Sequence, residues 1–175
     1  MEFYIKYWKL IDEHHGELRY SLYGWYIFTL FFLRYVNCDF KKIYLELVEE
    51  GEGYEEDSDM YHWAEVFFVP PESRWEFIVE NTFSEDILQI IHWAMKSVEY
   101  NNESLKKVAP KFKHDYRIKR DKIKSIIFLI DDEKTDNGRF WFNILEEIYS
   151  EMIKIEPSLN SDVFNEMIKS QKIQK

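Results

Sequence analysis

One cysteine, four prolines and five glycines are spread over 175 residues, and each scarcity closes off a class of answer. A single thiol, Cys38, cannot build an intrachain disulfide framework or a cysteine-based zinc site. It lies near apolar Val36 and Phe40, where a buried, inert thiol is expected rather than a nucleophile. So little glycine and proline argues for long helices over a hairpin-rich β fold. Catalytic signatures are missing as well. Gly51-Glu52-Gly53 lacks the third glycine and the strand-to-helix context of a phosphate loop, and there is no Gly-x-Ser-x-Gly elbow and no His-Glu-x-x-His. His14 and His15 are adjacent, so on a helix they diverge and make a poor metal pair. The 33 acidic residues single out no carboxylate pair, and no catalysis by this chain alone is expected.

Long apolar runs are also lacking. Glu2, Lys6 and Lys9 interrupt the N-terminus, so no secretory leader is expected. The uncharged stretch Tyr20–Leu33 is 14 residues long, short of the roughly 20 needed to cross a bilayer, and it holds several tyrosines. A buried core helix and a cytoplasmic protein are the expectation.

Aromatic residues, in contrast, are plentiful: fourteen Phe, twelve Tyr and six Trp give one domain ample material to bury. Charge is uneven. The net −10 disfavours a free-standing nucleic-acid binder, but it averages two opposite stretches. Nine acids and no Lys or Arg lie between Glu46 and Glu65; the region lacks the ligand spacing of a calcium loop and reads as a solvated loop. Nine bases, Lys106, Lys107, Lys111, Lys113, Arg117, Lys119, Arg120, Lys122 and Lys124, lie opposite only Asp115 and Asp121. Interleaved with Phe112 and Tyr116, they suit phosphate neutralisation. A solvated basic face, or one paired with the chain's own acidic loop, fits the same residues.

Periodicity predicts helices over 2–14, from about Tyr20 to Glu49 with a break near Asn37, over Glu72–Glu80, from an N-cap at Ser84 to Asn101, over Arg117–Asp131, over Phe140–Ile155, and weakly after Ser161. Small Gly24 and Thr29 suggest close packing in the long helix. In the next-to-last long stripes, Ile87, Ile90, Ile91, Ala94, Met95 and Val98, with His92 and Trp93 beside them, are expected inward, as are Ile123, Ile126, Ile127 and Ile130. The exception to helix is His62–Trp75, HWAEVFFVPPESRW. Its Val66–Val69 piece favours extended backbone, Pro70-Pro71 fixes a corner, and Pro71 with Glu72 suits a helix start. On local physics it is a rigid corner seating two tryptophans, Trp63 and Trp75, in the core.

Several elements together resemble one family. Trp8, Gly16 and Tyr23 keep its spacing; Leu33-Arg34-Tyr35-Val36, Trp63-Ala64-Glu65 and Val69-Pro70-Pro71-Glu72-Ser73-Arg74-Trp75 follow. Ala94-Met95, Asn102-Glu103-Ser104-Leu105-Lys106 and Pro110-Lys111 complete the pattern. From about Trp8 to Ile130 the chain resembles the N-terminal domain of the DNA-methylation (M) subunit of type I restriction-modification systems. It departs at Leu22-Tyr23-Gly24, where the family carries an acid, a tyrosine and a lysine. It also shows no Asn/Asp-Pro-Pro-aromatic catalytic motif; Val69-Pro70-Pro71-Glu72 lacks both the polar residue and the aromatic.

The expected fold is all-α, a helical bundle round a long buried central helix, with at most one very short extended segment near 66–69. Residues 1–156 would form the domain and 157–175 a C-terminal helix or tail. The resemblance implies a module that assembles M subunits with a specificity subunit and contacts double-stranded DNA within that assembly, away from any membrane. It implies no cofactor in this chain; S-adenosylmethionine would belong to a methyltransferase domain that this sequence does not contain. The basic residues named above would be the contact surface, and Trp8, Gly16, Tyr35, Trp63, Pro70, Pro71, Arg74 and Trp75 would be structural. The alternative is an interaction or regulatory protein that takes the M-subunit place without binding DNA.

Overall fold

A computed structural model describes residues 20–106 and 118–155. The helices expected over 2–14 and after Ser161, the 156/157 boundary, and Trp8, Gly16, Lys107, Lys111, Lys113 and Arg117 lie outside the described residues. Within them the chain is all-α: α1 (Tyr20–Glu50), α2 (Ser58–Trp63), α3 (Trp75–Glu80), α4 (Ile87–Asn101), α5 (Arg120–Asp132) and α6 (Gly138–Ile155). Two 3-10 turns, Pro71–Ser73 and Glu103–Leu105, complete the order, and no strand occurs among the described residues. No described helix is long and apolar enough to cross a membrane.

The central helix is α1. From Tyr23 to Val36 nearly every side chain is buried, so this stretch has no solvent face. It packs most extensively against α6, whose Trp141, Leu145, Ile148 and Met152 recur at three- and four-residue steps. Gly24 admits the close approach: a Cβ there would stand 3.4 Å from Met152 Cγ. Thr29 is fully buried, and its hydroxyl donates to the Trp25 carbonyl at 2.7 Å. Beyond Phe40 the helix keeps only a one-sided stripe, ending at buried Leu47. Helices α4 and α5 close the bundle, with Ile123, Ile126, Ile127 and Ile130 all inward as the spacing required. Burial pushes the Cys38 thiol up to about 11, partly offset by nearby Arg34, which leaves it a packing residue.

Five sequence expectations need correction. The break near Asn37 does not occur: α1 runs through it, because the side-chain amide turns outward to a neighbouring segment. The helix expected over Glu72–Glu80 is two pieces, parted by extended Arg74 (φ −67°, ψ 143°). Regular helix α4 starts at Ile87 rather than just after Ser84, although the Ser84 hydroxyl does accept the Asp86 N–H at 3.1 Å. On α4, Leu88 takes the buried place expected of Ile90, and Trp93 is 64% exposed. Only one of the corner's two tryptophans enters the core: Trp75 is 5% exposed and Trp63 is 78% exposed.

Candidate functional site: a clamped corner and a basic helix start

The segment 66–70 lies in no helix and no sheet, so its backbone groups need side-chain partners. Two buried asparagines supply them. Asn102, just past α4, donates from Nδ2 to the Phe68 carbonyl at 2.9 Å and accepts the Phe68 N–H at 3.0 Å. This is the pairing a neighbouring strand would give. Asn37, on α1, donates to the Ser73 carbonyl at 3.1 Å and accepts the Trp75 N–H at 2.9 Å. The Ser73 hydroxyl reaches the Ala94 carbonyl on α4 at 2.7 Å, and the Trp75 indole N–H reaches Asp131 on α5 at 3.1 Å. Pro70 and Pro71 set the turn, while α1, α4 and α5 each hold one side of it.

Arg74 leaves this corner toward the acidic loop. Its Nη2 lies 2.7 and 2.6 Å from the two carboxylate oxygens of Glu56, and its guanidinium covers the Phe40 and Tyr44 rings at 5.2 and 5.0 Å. Trp63 ends α2 in the opposite manner, facing solvent. There the chain turns through Glu65 at φ 58°, with Val66 N–H bonded to the Tyr61 carbonyl and Glu65 N–H to that of His62. That is a helix-ending motif whose left-handed position favours glycine. Glu65→Gly should therefore raise the melting temperature by a few degrees, about 0.5–1 kcal/mol, as relief of backbone strain exceeds the added chain entropy. A thermal melt of the two proteins checks this.

A second set of contacts centres on Arg34. Its guanidinium, buried between the indoles of Trp75 (5.9 Å) and Trp141 (5.3 Å), donates to the Thr135 carbonyl at 2.7 Å and Asp136 at 3.0 Å. Tyr35, the neighbouring motif residue, is buried against Phe32 and Phe142, and burial raises its phenol well above the usual range. Arg34 also borders an open cavity of about 430 Å³ shared with Trp75, Glu76, Asp131 and Asp136, whereas Tyr35 acts in packing.

Of the nine basic residues, five are described. Lys106 ends the second 3-10 turn and pairs with Glu103 at 2.6 Å. The other four cluster at the start of α5. Lys119 is its N-cap and is exposed, its backbone N–H bonded to the Tyr23 hydroxyl at 2.8 Å; Arg120 opens the helix and is exposed. Lys122 lies 6.0 Å over the Tyr23 ring, and Lys124 lies 5.7 Å over Phe83 and 3.6 Å from Asp121. Thus Tyr23 anchors the residue before α5 and lies beneath Lys122. The acidic loop's Glu56 is held by Arg74.

The charges on α5 run against its dipole. Lys119, Arg120 and Lys122 crowd the N-terminal turn, where backbone N–H groups already carry partial positive charge and Asp121 is the one acid, and Asp131 and Asp132 stand at the negative end. Each misplaced charge costs a few tenths of a kcal/mol to about 1 kcal/mol. No side-chain cap offsets this. The arrangement concentrates positive potential at one spot, where cations and the helix N-terminus favour an anion. Among the described residues no group of acids, histidines or cysteines is placed to hold a metal ion.

Comparison with known proteins then settles the family. The model of the HsdM N-terminal domain matches residues 6–130. The chain belongs to the HsdM N-terminal domain family. It is also 31% identical to the type I restriction enzyme MjaIX methylase subunit of Methanocaldococcus jannaschii, in a match covering 73% of this chain and 27% of that subunit. The chain therefore spans about a quarter of the length of that curated relative. The match ends at Ile130, the last buried isoleucine of α5, so it contains both asparagine clamps and the basic helix start. Helix α6, which supplies the main partner of α1, lies past it.

Sequence reasoning singled out the corner and the bases but missed Asn37, Asn102 and the Arg34 cage. A signal for the first was present: an asparagine in the middle of an otherwise apolar helical run needs a polar partner, and none is available on its own helix face beyond the Leu33 carbonyl.

Proposed function

We propose that the chain acts as a non-catalytic module of a type I restriction-modification methylase, joining methylase and specificity subunits and resting the start of α5 on the DNA backbone. The observation that carries the DNA part is the reversed charge of α5. Lys119, Arg120 and Lys122 stand at the positive end of the dipole against the single acid Asp121, with Lys124 a little further on, an arrangement that favours a bound phosphate. Family membership supports the assembly part. Methyl transfer would be performed by a separate S-adenosylmethionine-binding domain, and no residue described in this chain is assigned to it. The cytoplasm is the compartment this reading requires.

The test is a DNA-binding titration over a salt series, with the chain assembled on methylase and specificity subunits. Lys119→Ala, Arg120→Ala, Lys122→Ala and Lys124→Ala combined should weaken binding and reduce the slope of log affinity against log salt by about 0.9 per phosphate contact removed. An unchanged affinity and slope overturns the DNA part. The rival, an interaction protein that takes the methylase-subunit place without DNA, draws on the net charge of −10. It predicts co-purification with those subunits that is indifferent to all four substitutions and to DNA.

A further inference from the structure

The last two turns of α1 leave an apolar face open to solvent. Leu45 is 51% exposed and Val48 46% exposed, while Leu47 between them is buried. Three positions apart, Leu45 and Val48 share one side of the helix. Tyr54, in the loop that follows, is 46% exposed. Carboxylates stand beside this face. Glu46, Glu49, Glu50 and Glu52 are all exposed, and none forms an ion pair among the described residues. Lys41 and Lys42, one turn back, are already neutralised by Glu76 and Asp39. The acids also lie at the negative end of the α1 dipole, with no base in the last turn.

The surface is held in shape. Gly51 ends α1 in the left-handed region (φ 72°), its N–H bonded to the Leu47 carbonyl at 3.2 Å. The acidic loop is then tied at three points. The Tyr61 hydroxyl donates to the Glu55 carbonyl at 2.6 Å, Arg74 holds Glu56, and the Asp57 carboxylate accepts the Asp59 N–H at 3.0 Å. The basic start of α5 lies far off. Tyr23, beneath Lys122, and Val48 stand on one continuous helix, roughly 37 Å apart along its axis. Charge and apolar area together choose the occupant. The acids repel a phosphate backbone and an anionic lipid surface. Among the described residues no group of acids is placed to hold a metal ion, and a metal would leave Leu45 and Val48 in water. A partner that fits must bring cations and apolar side chains together. We infer that the end of α1 docks a basic, amphipathic segment of another polypeptide. Its apolar residues rest on Leu45 and Val48, and its Lys or Arg residues face Glu46, Glu49 and Glu52. This face is separate from the DNA contact proposed above, so either can fail without the other.

The probe is a fluorescently labelled helical peptide of leucine and lysine only, titrated with the full chain in the absence of DNA. It should bind about tenfold more tightly than an oligolysine of equal charge, which can use the acids but not the apolar face. Leu45→Ser with Val48→Ser, both at exposed positions, should abolish that advantage and leave the far-UV spectrum unchanged. Glu46→Gln, Glu49→Gln and Glu52→Gln combined should weaken the leucine–lysine peptide about tenfold and flatten its salt dependence. The four alanine substitutions on α5 should leave peptide binding within about twofold of the parent. Equal affinity for the two peptides, or an affinity unmoved by the serine and glutamine substitutions, overturns the proposal. So does a light-scattering mass that doubles with concentration in the parent and not in the serine variant, because the occupant is then a second copy.

Discussion

Asn37→Leu should lower the melting temperature by about 10 °C or more, one of the two largest single-residue effects expected in this chain. Leucine shares the branched outline of asparagine and has the higher helix propensity, so the helix itself loses nothing, and its larger methyls add only crowding to the cost. What is lost is a pair of bonds to the corner. The Ser73 carbonyl and Trp75 N–H, both served by Asn37, would remain in a site where Ser73 and Asn37 are almost fully buried. Each orphaned backbone group costs about 1–3 kcal/mol, so about 2–6 kcal/mol, centred near 4, is expected for the two. At roughly 2–4 °C per kcal/mol for a chain of this size, that is the stated shift. Asn37→Asp provides the contrast, since it keeps the acceptor for Trp75 N–H and loses the donor to Ser73. Thermal melts of the three proteins decide the matter, and a leucine variant as stable as the parent removes the clamp from the account.

Arg34→Met should cost about 2–4 kcal/mol, for a different reason. Methionine fills much of the volume between Trp75 and Trp141 but cannot donate to Thr135 and Asp136. The loss combines two desolvated cation–aromatic contacts with one charge-assisted bond to Asp136 and one to a carbonyl. Asp136 is half exposed and stays solvated, which keeps the loss below that of a fully buried pair. Arg34→Lys should recover only part, because an ammonium neither stacks on both indoles nor reaches two acceptors from one planar fork. Chemical denaturation with tryptophan emission as the probe measures all three proteins. Equal midpoints for parent and methionine variant would show that the cage contributes packing only.

How far the sequence led differs by region. Helical spacing located α1, α4, α5 and α6 because their apolar stripes are long and repeat, and the four isoleucines of α5 all point inward as counted. The corner was legible as a corner, since two adjacent prolines leave the backbone few choices. Its clamps were not, because Asn37 meets Ser73 36 positions away and Asn102 meets Phe68 34 positions away. No local pattern encodes such a pairing. Trp63 misled for a related reason: tryptophan is usually buried, and only the turn at Glu65 directs this one outward. The basic run was visible as composition, but the meaning of its position came only with the start of α5 and the direction of its dipole.

The bonds that hold residues 68–75 have a consequence for the order in which the chain folds. They connect positions 34, 36, 38 and 56 residues apart, to three different helices. Each closes a long loop and gains nothing until its helix is in place. Helix α1 meets α5 and α6 through apolar faces of its own, but α4 meets the corner turn more extensively than it meets α1 or α5. The segment that most clearly marks this family is therefore the joint between α4 and the rest of the bundle, so its bonds and the docking of α4 depend on each other.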